Sequence, residues 1–245
     1  MLDFAFLSLP ATLGTGESNL ALVFDGWRRT LAAFAGAMTL ALVVGLPLGV
    51  VRTLPRARIA QRAIAAYVEV VRNVPLLVQL FLWFFVLPEI LPRAAGDWLK
   101  RDLPDAPYWT LVVGLGVFMS VRVIELTRAG VGSLGRGQRE ACFALGLHAR
   151  DEYRFVLLPQ ALRIVLPPFT TEFTNCIKGT SVGLTIGYIE VTQRAREISE
   201  QTFRTFEIFF IATLVYLVTI LTVVVVLQAL EHALRLPGTL QPPAA

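Results

Sequence analysis

Two stretches of this chain run without a charge for longer than a soluble helix has reason to. Thr30–Val51 covers 22 residues and Ile208–Leu230 covers 23. Roughly 20 apolar residues carry an α-helix across about 30 Å of hydrocarbon. A helix apolar on every face for that length has no side to offer water. The remaining composition agrees: 16% of the 245 residues are charged, against about 25% in a typical soluble domain. An ordinary soluble domain and a disordered segment are both excluded.

Three weaker runs lie between these two. Ala63–Pro88 holds Glu69 and Arg72, Tyr108–Arg128 holds Arg122 and Glu125, and Phe155–Ile189 holds Arg163, Glu172, Lys178 and three prolines. One crossing for each gives an all-α, polytopic membrane fold of five transmembrane helices, at 28–51, 63–88, 108–128, 155–189 (interrupted) and 207–230. An odd count places the termini on opposite sides. Cytoplasmic loops carry an excess of Lys and Arg. Residues 52–62 hold four arginines and no acid, and residues 128–154 hold five arginines. The segments 1–29, 89–107 and 190–207 hold two, three and three basic residues. The N-terminus is therefore expected outside and the C-terminus inside. This divides the chain into an external segment (1–26), a membrane domain (27–231) and a cytoplasmic tail (232–245). The first sixteen residues lack a basic n-region, so no cleaved signal is expected.

Sorted this way, the net charge of +4 reports topology, and no nucleic-acid partner is expected. Cys142 and Cys176 are too few for a disulfide framework. No Cys-x-x-Cys or paired-His spacing offers a metal site. The chain has no phosphate-binding glycine loop and no nucleophile–base set, so no catalytic residue is assigned.

The segment 128–154 carries a different signal. Residues Arg139 to Leu147 read Arg-Glu-Ala-Cys-Phe-Ala-Leu-Gly-Leu. Glu140 to Leu145 contains good helix formers, and Gly146 can end the helix in a left-handed conformation. Ala141 and Ala144 share one face, three residues apart, while Phe143 and Leu147 share another. Such a helix either lies on the membrane surface or seats in a groove of a soluble partner.

Glu140-Ala141, Gly146 six residues after the Glu, and Val156-Leu157-Leu158-Pro159 together resemble the EAA loop of ABC importer permeases. Cys142 stands where that family has a second Ala, and Val156 where it has Ile. Residues Tyr67 to Leu80 and Glu172 to Ser181 are similar to the signatures of the polar amino-acid branch. The stretches from Phe81 to Glu89, Gly96-Asp97-Trp98 and Leu236-Pro237-Gly238 most resemble its glutamate/aspartate permeases. The resemblance spans roughly residues 26–235. It implies a multi-pass protein of the bacterial inner membrane with a cytoplasmic coupling loop over 136–154. Its partners would be two ABC ATPase subunits, a second homologous permease or a second copy of this chain, and a periplasmic amino-acid-binding protein. This chain would carry no cofactor, with ATP and magnesium on the ATPase. Glu140, Ala141, Cys142, Ala144, Leu145 and Gly146 would couple the two.

Intramembrane polar residues are costly and seldom idle. Glu69 with Arg72, and Arg122 with Glu125, are each three apart and read as structural ion pairs near the cytoplasmic ends. Pro75 removes a backbone donor and disfavours helix at Val74, so a break is expected there. Pro159, Pro167 and Pro168 are expected to interrupt the fourth span. Broken backbone at membrane depth survives only inside protein or along a wet cavity. Beyond the prolines, Glu172, Asn175 and Lys178 share a face, followed by Thr180 and Ser181. That face reads as a substrate path or as a subunit interface. The competing functions are a stand-alone ion-coupled carrier or channel, and an integral-membrane enzyme. No internal repeat or acidic cluster supports the first, and no catalytic constellation the second.

Overall fold

The structure is a computed structural model that describes residues 4–9, 18–55 and 57–234. Residues 1–3 and 10–17 of the 1–26 segment, and all of the tail beyond residue 234, lie outside those residues. Eight helices organise the chain: α1 (Asn19–Val51), α2 (Arg58–Asn73), α3 (Leu76–Ile90), α4 (Ala106–Ser133), α5 (Arg136–Ala144), α6 (Leu158–Gly179), α7 (Val191–Thr202) and α8 (Thr205–Leu234). No β-strand occurs among the described residues. Three helices, α1, α4 and Thr205–Ala233 of α8, are each long and apolar enough to cross a membrane.

Helix α1 starts nine residues before its expected span. The Ser18 hydroxyl caps it by accepting from the Ala21 amide at 3.2 Å, which satisfies a free first-turn donor. Hydrophobicity marks the lipid-crossing part of a helix, whereas caps mark its ends.

The expected second crossing, 63–88, is not one straight helix. Helices α2 and α3 meet at 101°. Val74 is extended there (φ −100°, ψ 124°), as a residue before proline prefers. A break of this kind frees carbonyls at the end of α2. Gln79, buried one turn into α3, answers them. Its side-chain amide donates to the carbonyls of Val71 and Val74, each at 2.8 Å.

Helix α4 is the centre of the molecule. Lipid tails are as apolar as leucine, so close packing rather than transfer from water holds membrane helices together. Small residues permit it. Gly45 and Gly49 of α1 lie against Val123 and Thr127 of α4, where a Cβ would come within 2.5 Å of either side chain. On a second side, α4 meets α6: a Cβ on Gly130 would fall 2.4 Å from Val165. On a third, Val121 and Ile124 pack against Ile64, Val68 and Val71 of α2. There Tyr67 also shares a 2.7 Å hydrogen bond with Ser120.

Two sequence expectations are corrected. Pro167 and Pro168 lie inside a continuous α6, and Pro159 occupies its first turn. Proline's fixed φ suits a helix, and its missing donor costs nothing at a first-turn position. Close packing of Ala161 and Val165 on α4 holds α6 through the pair at 167 and 168. The interruption comes later, where Thr180–Ile186 tightens into a 3-10 turn ending at Gly187, φ +80°. Glu125 does not pair with Arg122. It is turned toward Arg52 at 3.3 Å and Arg72 at 3.9 Å. Arg72 also holds Glu69 at 2.8 Å, as expected. The ion pairs thus tie α1, α2 and α4 in one chain, and Arg122 is left exposed.

Candidate functional site

Helix α5 ends as its sequence suggested. Gly146 adopts φ +68°, the Leu147 amide donates to the Cys142 carbonyl, and the Gly146 amide to that of Phe143, both at 3.0 Å. This is a Schellman stop, which a residue with a Cβ strains. Cys142 is 3% exposed and anchors the helix to the body. Glu140, Ala141 and Ala144 face outward, with Phe143 at 87% and Leu145 at 78% exposure. Two large apolar side chains beside two alanines form a patch with small hollows and bulky knobs. That shape suits a groove on a partner.

A residue the sequence reading missed connects this patch to the membrane domain. The buried Tyr153 donates to the Thr53 carbonyl at 2.9 Å and lies 3.1 Å from the Thr53 hydroxyl. From α5, the Arg139 guanidinium donates to the Tyr153 hydroxyl at 3.4 Å and lies 4.0 Å from Glu152. Displacement of α5 therefore bears on the α1–α2 turn as well as on the start of α6. The only sequence signal was a tyrosine inside an otherwise charged run, Asp151-Glu152-Tyr153-Arg154.

The second candidate face runs along α6. Arg163, Pro167, Pro168, Thr171, Asn175 and Lys178 are exposed, and Glu172 is half-buried. The Asn175 amide donates to Glu172 at 3.5 Å, so Glu172 takes neither Lys178 nor Arg163 as partner among the described residues. Ser181 bonds the Lys178 carbonyl at 2.7 Å and stays near this face. Thr180 does not. It follows the buried Ile177 and Cys176 by three and four residues, on the inner side of the helix, where it is fully buried and its hydroxyl donates to the Ile177 carbonyl at 2.7 Å.

The opposite end of the molecule is closed by α7. Asp25 of α1 binds Arg194 at 2.9 Å and Arg29 at 3.1 Å, and Arg194 also holds Glu197 at 2.8 Å. Glu190 caps α7 by accepting from the Gln193 amide at 3.0 Å, while Tyr216 of α8 donates to it at 2.5 Å. Burial pushes the Glu190 carboxyl above the usual carboxylate range, against the hydrogen bonds that pull it down. A cavity of about 560 Å³ near the start of α4 is lined by Trp83, Trp98 and Trp109, with Glu89 and Lys100 paired on its wall. It shares no lining residue with the α5 patch or the α6 face.

Residues 25–236 match the family described as binding-protein-dependent transport system inner membrane component. The chain is 36% identical over 223 residues to the glutamate/aspartate import permease protein GltJ of Escherichia coli K12, covering 90% of each. It is 34% identical over 185 residues to the glutamine transport system permease protein GlnP of the same strain, covering 76% of this chain and 80% of that one. A crystal structure of an amino acid ABC transporter with histidines superposes with a TM-score of 0.74 at 28% identity, covering 87% of this chain and 94% of that one. The inward-facing MetNI methionine transporter shares the fold, with a TM-score of 0.74 at 18% identity, covering 89% and 98%.

Proposed function

Because the chain belongs to the binding-protein-dependent inner membrane transport components, we propose that it is the permease subunit of an ATP-driven amino-acid importer whose substrates are glutamate and aspartate. It is a transport subunit and not an enzyme. The observation that carries the coupling reading is α5: a helix held to the body through Cys142 whose apolar side chains point away from it. Docked in an ATPase groove, α5 follows the closure of the ATPase pair. The motion passes through Arg139, Tyr153 and Thr53 to α1 and α2, and through the 149–157 segment to α6. Two packings of the same helices, one open to each side, then alternate as ATP binds and is hydrolysed. Glu140 to Gly146 are the coupling residues, and the face of Glu172, Asn175, Lys178 and Ser181 lines the path.

In this reading α1, the bent α2–α3 pair, α4, α6 and α8 make five crossings. The N-terminus lies outside, and α5 and the C-terminus lie in the cytoplasm of a bacterial cell. The partners are two ATPase subunits that bind ATP and magnesium, a second permease chain and a periplasmic binding protein. Acidic amino acids are preferred because the glutamate/aspartate relative matches over 90% of the chain, whereas the glutamine relative matches over 76%.

The test is uptake by the complex reconstituted with its ATPase, partner permease and binding protein, using labelled glutamate with unlabelled aspartate and glutamine as competitors. Competition by aspartate but not by glutamine is expected. Robust uptake by this chain alone would establish a stand-alone carrier instead.

A further inference from the structure

Arg122 is the charge that the fold leaves over. Glu125, its expected partner, is engaged by Arg52 and Arg72. Among the described residues Arg122 has no ion pair or hydrogen bond, and it is exposed on α4. It stands sixteen residues after the start of a 28-residue helix and one turn before Glu125, whose partner Arg52 follows the end of α1, so it lies inside the crossing in its cytoplasmic half. A charge at that depth faces protein or a wet cavity, because lipid is too costly.

The packing of α4 on α6 says what it faces. Gly130 lies against Ala161 and Val165, and Leu115 against Gly179, so the two helices run antiparallel. Interpolating between these contacts puts Arg122 level with Thr171 and Glu172. Both helices turn their other flank to α1: Val123 and Thr127 meet Gly45 and Gly49, and Phe173 stacks edge-on with Phe34. Arg122 and the polar residues of α6 thus occupy the same open side of the α4–α6 pair.

We propose that Arg122 is a substrate-binding residue which, with Lys178 and Glu172, forms a charge-matched site for a dicarboxylic amino acid. The inference rests on the acidic-amino-acid reading above and adds a residue to it. Near the level of Glu172 two cations and one anion share this face, Arg163 lying about 13 Å away toward the start of α6, and the substrate carries two carboxylates and one ammonium. Arg122 and Lys178 each take a carboxylate, the guanidinium in a two-pronged geometry suited to it. Glu172, held by Asn175, takes the ammonium. Lys178 lies about 9 Å from Glu172 along the helix, on the side away from α5. The long arms of Arg122 and Lys178 reach the substrate's two ends from opposite helices. Glu172 alone would repel an acidic substrate. With Arg122 level beside it, the site carries one net positive charge and discriminates against glutamine, which has a single carboxylate.

The test uses the purified complex of permease chains and ATPase in nanodiscs, without the binding protein. Labelled glutamate is bound at equilibrium and displaced by aspartate or glutamine. In the wild type aspartate competes and glutamine does not. Arg122→Gln is expected to weaken glutamate binding by about tenfold or more, the loss of one charge-assisted pair. It should also erase the preference over glutamine, and Arg122→Lys should restore part of both. Unchanged affinity and preference in Arg122→Gln overturn the proposal. Failure of Arg122→Gln to assemble with the second permease chain also overturns it, since Arg122 then serves the subunit interface. If the wild-type complex prefers a neutral or basic amino acid, the acidic-substrate reading itself has failed, whatever Arg122 does.

Discussion

Two short amphipathic helices, α5 and α7, sit at opposite ends of this molecule and treat their apolar side chains in opposite ways. Helix α7 buries Val191, Ala195 and Ile198 against α1 and α8 and ties its polar side down through Asp25, Arg194, Glu190 and Tyr216. Helix α5 buries Cys142 and leaves Phe143 and Leu145 outside. The first is complete within the chain. The second exposes apolar surface where a monomeric soluble face rarely does, and in the function proposed above the ATPase covers it. The two helices are thus distinguished by which way their large side chains point, inward in α7 and outward in α5.

The largest expected contrast comes from charge placed on the exposed helix. Glu140→Lys and Gly146→Asp should each abolish uptake and release the ATPase, while membrane insertion and thermal stability are kept. Gly146→Asp acts by straining the positive φ that ends α5. Uptake and co-purification of the ATPase measure the loss. The same kind of change in α7 should act on folding. Ile198 is fully buried, and Ile198→Ala should cost about 2–5 kcal/mol, read as a lower melting temperature. Phe143→Ala should leave that temperature unmoved and weaken ATPase binding. If the two variants exchange behaviour, the distinction between the helices is wrong.

Tyr153→Phe tests the connection between docking and the membrane domain. It removes the hydrogen bond to the Thr53 carbonyl, worth about 1 kcal/mol. The ATPase should remain bound while transport per ATP hydrolysed falls, which a paired measurement of uptake and hydrolysis detects. The smallest effect concerns Glu190. Its folded-state pKa lies above the reference value of 4.5 because burial disfavours the carboxylate. The folded form therefore holds more protons in the window above 4.5, and stability falls as pH rises through it. Thermal melting should show this decline in the wild type and lose it in Glu190→Gln.

The sequence was most readable where one residue decides its own geometry. Pro75 and Gly146 set the α2–α3 break and the end of α5, and a single φ restriction explains each. It was least readable where several partners compete. Glu125 has arginines at 52, 72 and 122 within plausible reach, and only the packing of α1, α2 and α4 decides between them. Its place after Lys178 in sequence groups Thr180 with the α6 face, yet it lies three and four residues after the buried Ile177 and Cys176 and so on the inner side. Pro167 and Pro168 signal a break locally, yet the contact of α6 with α4 holds the helix through them. The network around Asp25, Arg194 and Glu190 joins residues more than 160 positions apart, such as Asp25 and Arg194, which spacing cannot reveal.

The docking role of α5 is tested most directly by cross-linking. Leu145→Cys places a thiol on its exposed side, while the native Cys142 and Cys176 are both buried. In transport-active membranes holding the whole complex, a short bifunctional reagent at position 145 should join this chain to the ATPase subunit. Adding Glu140→Lys should abolish the product. A transport-active complex in which position 145 is freely labelled by a soluble thiol reagent and never cross-links to the ATPase would contradict the assignment.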